Sequence, residues 1–162
     1  MGTRHNLTPL EAGAPAPEFR LPRLDGGETS LAEIEAAGPA LLAFFKISCP
    51  VCQLAFPFLE RLHRPGTLPV YGVSQNNAHD TREFAKRYGV TFPMLLDLES
   101  SGFPVSNAYG LTNVPTLYLI EPDGLIAQTI HGWNKQKMAA LGATSGVSVF
   151  RPEDNVPEWK AG

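Results

Sequence analysis

The chain has 162 residues, 43% of them hydrophobic and 18% charged, with a formal net charge of -3 at pH 7. That length suits one domain with a sizeable core and is too short for two ordinary enzyme domains. A mildly acidic chain without a basic block does not coat a phosphate backbone, so nucleic acid is not an expected partner. No apolar run approaches the roughly 20 residues of a membrane span.

Residues 1–8 contain Arg4 and His5 but no apolar stretch of an export signal, so the expected location is the cytoplasm. Pro9, Pro15 and Pro17 give an extended start, of which residues 1–15 are assigned as an N-terminal arm. Asp25-Gly26-Gly27 is a tight-turn signal. Ser30, with Glu33 three residues later, is a capping box for a helix over 31–37, closed by Gly38-Pro39.

Residues 40–45 are uninterruptedly apolar and of strand length, the pattern of a strand buried on both faces. Residues 50–63 read as a helix with Leu54, Phe58, Leu59 and Leu62 along one stripe, and Pro57 inside it predicts a kink. A second central strand follows over 68–74, then a helix over 80–88 stopped by Gly89. Residues 94–97 predict a short strand and 105–109 one helical turn. Strands at 116–120 and 125–130, joined by Glu121-Pro122-Asp123-Gly124, predict a hairpin. Asn134 caps a last helix through Leu141, with Gly142 at its end.

This order implies an α/β fold whose mixed sheet is covered by helices on both faces. One domain over 16–143 is expected, followed by a tail at 144–162. The tail around Trp159 is expected to fold back on the domain or to meet a second subunit. Phe56, Phe58, Phe84 and Phe92 read as core, and Trp133 and Trp159 as packing aromatics.

The two cysteines form one motif, Cys49-Pro50-Val51-Cys52, between the buried strand and the helix after it. Cys49 then sits at a helix N-terminus, where unpaired N–H groups and the macrodipole favour a thiolate. Pro50 suits the first turn, since its missing N–H has no partner there. Cys52 lies one turn inside, more buried and close enough to close a disulfide. Cys49 is therefore the expected nucleophile toward a disulfide sulfur, and Cys52 the resolving thiol. A chance pair of core cysteines is the plainer alternative.

Phe44-Phe45-Lys46-Ile47-Ser48-Cys49-Pro50-Val51-Cys52, Pro57, and Asn113-Val114-Pro115-Thr116 ahead of a strand resemble the thioredoxin fold. The closer resemblance is to the TlpA-like and AhpC/TSA (redoxin) thiol–disulfide oxidoreductases. Gly13-Ala14-Pro15-Ala16-Pro17-Glu18-Phe19 resembles their N-terminal extension, and Leu119-Ile120-Glu121-Pro122-Asp123-Gly124 their hairpin. The resemblance implies an inserted strand and helix at about 90–110, and a cis-proline at Pro115 facing the disulfide. A cis bond there exposes the Val114 backbone to pair with an extended substrate segment. A trans proline at a strand start is the alternative. Ser48 and Pro50 are the other expected docking residues. Implied partners are disulfide- or dithiol-bearing proteins or small thiols, in cell redox homeostasis, with no cofactor and no metal.

Departures from the family's pattern fall at Ala43 and Ala55, where an acid is usual, and at Ser48, where Trp is usual. No general base for Cys52 is thereby assigned, and Lys46 reads as a solvated strand end. A peroxidase of the same fold sets a Pro and then a Thr or Ser ahead of its attacking cysteine. The matching positions are Phe45 and Cys49 for Cys52, and Leu42 and Lys46 for Cys49. The downstream Arg of such enzymes is also missing between Arg87 and Arg151. A zinc module needs four ligands, and His5, His63, His79 and His131 include no pair at ligand spacing. A redox-silent interaction module is the last alternative. Hydrolase and nucleotide-binding signatures are absent from the sequence.

Overall fold

A computed structural model describes residues 8–162. Strands β1 (Arg20–Pro22) and β2 (Glu28–Ser30) flank the Asp25-Gly26-Gly27 turn and pair antiparallel, Leu21 opposite Thr29. Neither was expected, because three residues are too few to show a period of two. Helix α1 (Leu31–Ala36) starts on Ser30, whose hydroxyl accepts from the Glu33 N–H at 3.2 Å. Strand β3 (Ala40–Phe45), helix α2 (Pro50–His63), strand β4 (Val70–Ser74) and helix α3 (Ala78–Tyr88) follow. Strand β5 (Met94–Leu96) and helix α4 (Pro104–Ala108) form the insertion expected at about 90–110. Strands β6 (Thr116–Ile120) and β7 (Ile126–His131) make the hairpin, followed by β8 (Trp133–Asn134), helix α5 (Lys135–Thr144) and β9 (Trp159–Lys160).

The main sheet has the order β5-β4-β3-β6-β7, with β3, β4 and β5 parallel and β6 antiparallel to both of its neighbours, β3 and β7. Its central strand explains its own composition. Leu41, Ala43 and Phe45 face a core closed by α2, α3 and α5, through Phe56, Leu59, Phe84 and Met138. Ala40, Leu42 and Phe44 face a second core closed by α1 and α4, through Leu31, Ile34 and Val105. A strand covered on both faces has no position for a polar side chain. The result is an α/β thioredoxin-like fold.

The described part of the arm and the tail are both parts of this body. Residues 10–16 run along the outer edge of β7: Gly13 N–H donates to Ile126 O at 2.8 Å and Ile126 N–H to Ala14 O at 2.9 Å. An open sheet edge is a liability, and this segment covers it. The tail crosses α2, where Arg61 donates to Asp154 Oδ2 at 2.6 Å and to Val149 O at 3.1 Å. Phe150 stacks on Phe58 at 5.2 Å.

Two expectations need correcting. Helix α5 runs past Gly142 to Thr144, because Gly142 serves close approach instead of termination: a Cβ there would lie 2.5 Å from Val147 O and 2.5 Å from Val149 Cγ2. Trp133 is buried as expected, but Trp159 is 61% exposed, its strand being held by backbone pairing.

His63, in the last turn of α2, accepts the Val70 N–H on Nδ1 at 3.0 Å, a role open only to the neutral ring. Burial lowers its pKa below the usual 6.5, with Glu60 partly opposing. A depressed imidazole contributes fully above the unfolded value, and that contribution is lost as pH falls through the folded value. The urea midpoint should therefore drop between about pH 7 and pH 5, with a smaller drop in His63→Asn. Identical pH dependence in both proteins would reject this role.

Candidate active site

At the C-terminal end of β3 the chain turns through Lys46-Ile47-Ser48 and enters α2 with Cys49 as its N-cap. The middle residue of this loop is tied through both of its backbone groups. The Ile47 N–H donates to Asn76 Oδ1 at 3.0 Å, and Gln53 Nε2 donates to the Ile47 carbonyl at 2.9 Å. With the loop held, the Cys49 sulfur faces the first turn of the helix and accepts the Cys52 N–H at 3.2 Å. A cap of this kind satisfies one of the orphan donors at a helix start and favours negative charge on the capping atom. Pro50 occupies the first turn, where no amide donor is needed.

Both thiols are free, Cys49 half-buried and Cys52 fully buried. Burial pushes the Cys52 thiol far above the ordinary thiol range, and its hydrogen bond with Cys49 raises it further. A half-buried sulfur at a helix cap, open to the cleft, and a buried, protonated sulfur a turn away differ sharply in nucleophilicity.

The loop before β6 supplies the opposite wall. The Val114–Pro115 peptide bond is cis, and the Cys49 thiol donates to the Val114 carbonyl at 3.4 Å. Thr116 Oγ1 donates to Asn113 O at 2.7 Å and the Gly132 N–H to Pro115 O at 2.8 Å, which holds this loop against β7. Between the two walls lies an open cleft of about 310 Å³, lined by Lys46, Cys49, Gln75, Thr112, Asn113, Val114 and Gly162 among others. A roomier cavity of about 380 Å³, between Pro39, Leu68, Leu119 and Leu141, contains neither thiol and offers no chemistry for them to share.

Ser48 and Pro50 are exposed on the rim but do not line the cleft. Lys46, read from the sequence as a solvated strand end, does line it. Gln75 was not expected at all. Its Nε2 donates to Ser106 Oγ at 2.9 Å, and that hydroxyl donates to Asp97 Oδ2 at 2.7 Å. Asp97 is fully buried and also accepts the N–H groups of Val105 and Ser106 at 3.2 and 2.7 Å. A carboxylate at the end of β5 therefore caps α4 and sets the wall of the thiol cleft. No local pattern announces this, since Asp97 lies outside capping distance in sequence from the helix it caps.

Ala43 and Ala55 are buried, and among the described residues no carboxylate bonds to either thiol. Among the described residues there is also no group of three or more His, Cys, Asp or Glu able to hold a metal ion. His5 lies outside the described residues. No described helix is long and apolar enough to cross a membrane.

Known proteins resemble this chain to different depths. A family model for the AhpC/TSA family matches residues 12–129. The thiol-disulfide oxidoreductase ResA of Halalkalibacterium halodurans is 32% identical over 131 residues, covering 78% of this chain and 72% of that protein. ResA of Geobacillus thermodenitrificans is 30% identical over 129 residues, with 77% and 72% covered. Among solved structures, a thiol:disulfide interchange protein of the thioredoxin family from Chlorobium tepidum superposes with a TM-score of 0.68 at 21% identity, covering 85% of this chain and 97% of that one. Peroxidoxin BcpB from Mycobacterium tuberculosis gives the same TM-score, 0.68, at 18% identity, covering 86% and 96%. The fold is thus common to exchange enzymes and peroxidases, and the site has to separate them.

Proposed function

Since the chain belongs to the AhpC/TSA family, we propose that its thiol–disulfide oxidoreductase activity runs through a reversible Cys49–Cys52 disulfide. The observation that carries this is the pairing of sulfurs: Cys49 caps α2 in an open cleft while Cys52 is buried one turn behind it. The Cys49 thiolate attacks one sulfur of a partner's disulfide, that S–S bond breaks, and the other sulfur leaves with the electron pair. Cys52 then gives up its proton and attacks the Cys49 sulfur. The second partner thiol is released, and two electrons have passed to the partner as the Cys49–Cys52 bond forms. The reverse sequence oxidises a dithiol.

The high thiol pKa of Cys52 makes its deprotonation the demanding step. With Ala43 and Ala55 in place of acids, the base is the partner thiolate released in the first step, or water. Val114 is the proposed docking backbone, because its carbonyl stands beside the Cys49 sulfur, where an extended partner segment can pair with it. Partners are disulfide- or dithiol-bearing proteins and small thiols. A peroxidase role is disfavoured: Arg87 and Arg151 do not line the thiol cleft, and Lys46 and Cys49 stand where a peroxidase has Thr or Ser.

The test is equilibration of the protein in glutathione or dithiothreitol buffers. One two-electron couple is expected, with a midpoint between about -270 mV, the reductant end, and about -120 mV, the oxidant end. The reduced protein should react with hydrogen peroxide no faster than a free thiol. A fast peroxide reaction without such a couple would reverse the proposal. For the compartment we propose the cytoplasm, supported by a chain whose only cysteines are this exchanging pair. A midpoint near about -120 mV would overturn that placement.

A further inference from the structure

The cleft at Cys49 has one wall that comes from far along the chain. Strand β9 pairs antiparallel with β8, Lys160 opposite Trp133 and Trp159 opposite Asn134. The Lys135 N–H donates to Glu158 O at 3.0 Å, and Trp133 Nε1 donates to Pro157 O at 2.6 Å. The chain then continues to Gly162, which lies directly on the Val114 carbonyl. A Cβ on Gly162 would stand 2.6 Å from that oxygen and 3.0 Å from its carbon. The same oxygen receives the Cys49 thiol at 3.4 Å. At the other end of this contact Gly132, at φ +67°, passes so near the Lys160 carbonyl and the Gly162 nitrogen that any Cβ would collide with both.

We propose that residues 159–162 form a strap that determines which disulfides reach Cys49. Resting on the exchange chemistry proposed above, it assigns two states. Closed, the strap holds the Val114 edge that a partner strand would need, and only small disulfides enter, from the side of Lys46, Gln75 and Thr112. Lifted, it frees that edge for an extended protein segment. Residues 159–162 are all exposed, so no buried side chain anchors the strap. It is held by backbone pairing at the surface, the kind of contact that opens locally without unfolding the core.

Two substitutions lift it without touching the thiols. In an antiparallel ladder hydrogen-bonded pairs alternate, so Lys135–Glu158 as a bonded pair makes Trp133–Lys160 the next one. Lys160→Pro removes that donor. Gly162→Val drives a side chain onto the Val114 carbonyl and pushes the strap away.

The probes are insulin, a protein disulfide, and 2-hydroxyethyl disulfide, a small one, each with dithiothreitol as reductant. Lys160→Pro should reduce insulin about fivefold faster, the shift expected for one lost backbone hydrogen bond, and Gly162→Val should reduce it faster as well. The rate of Lys160→Pro on the small disulfide should equal that of the unsubstituted protein. Unchanged insulin rates, or equal gains on both probes, overturn the strap. Unsubstituted protein that exchanges with neither probe overturns the exchange reading itself.

Discussion

Cys52→Ser is expected to complete the first exchange and then stop, accumulating a mixed disulfide between Cys49 and its partner. The buried sulfur is what releases the partner, and a hydroxyl in its place is not nucleophilic toward a disulfide. Cys49→Ser should fail earlier. It leaves only a thiol that is fully buried and held protonated by burial, so turnover should fall by at least about a thousandfold. The two variants therefore separate by product as well as by rate. Mass spectrometry after reaction with an aromatic disulfide should find one adduct on Cys52→Ser, attached to Cys49, and essentially none on Cys49→Ser. Iodoacetamide at neutral pH should likewise modify Cys49 and spare Cys52. An adduct on Cys52, or sustained turnover by Cys52→Ser, would reverse the assignment of roles.

The second large effect lies away from the sulfurs. Asp97→Ala should destabilise the protein by about 3 to 5 kcal/mol, because it strands two backbone N–H groups and the Ser106 hydroxyl, all buried. That is a large part of a stability that for domains is typically about 5 to 15 kcal/mol, and it corresponds to a fall of roughly 10 °C in Tm. Asp97→Asn keeps one acceptor and turns an NH2 toward the remaining donors, so its cost should fall between wild type and Asp97→Ala. The same change reaches the cleft. Gln75 is held through Ser106, and with Ser106 free to rotate, exchange should slow by a few-fold under conditions where the variant remains folded. Urea unfolding and exchange kinetics on the same preparations give both readouts. An Asp97→Ala protein within about 1 kcal/mol of wild type would show that water replaces the carboxylate without loss.

How far the sequence reaches can be judged element by element. The run 40–45 is legible as a doubly covered strand because both of its faces are buried. Helix α2 is legible from its apolar stripe and from Pro50 in its first turn, and its start places Cys49 at the cap. Ser30 and Asn134 cap their helices through a side chain three residues from its donor, again a local matter. Strands β1, β2, β8 and β9 have two or three residues each, too few to impose a periodicity. Gly142 was misread because a glycine near a helix end normally terminates it, whereas here it makes room for Val147 and Val149.

The sequence by itself thus determined the sheet's central strands, the helices around them, and the two sulfurs on one turn of helix. Only the tertiary structure decided the walls of their cleft: Val114 on Cys49, Gln75 held through Ser106 by Asp97, and Gly162 on the Val114 carbonyl. The physical reason is range. Apolar periodicity and capping are settled within one or two helical turns and leave a pattern in neighbouring residues. A buried carboxylate or a close-packed glycine is selected by partners that only the folded sheet brings near, and nothing beside it in the chain carries their mark.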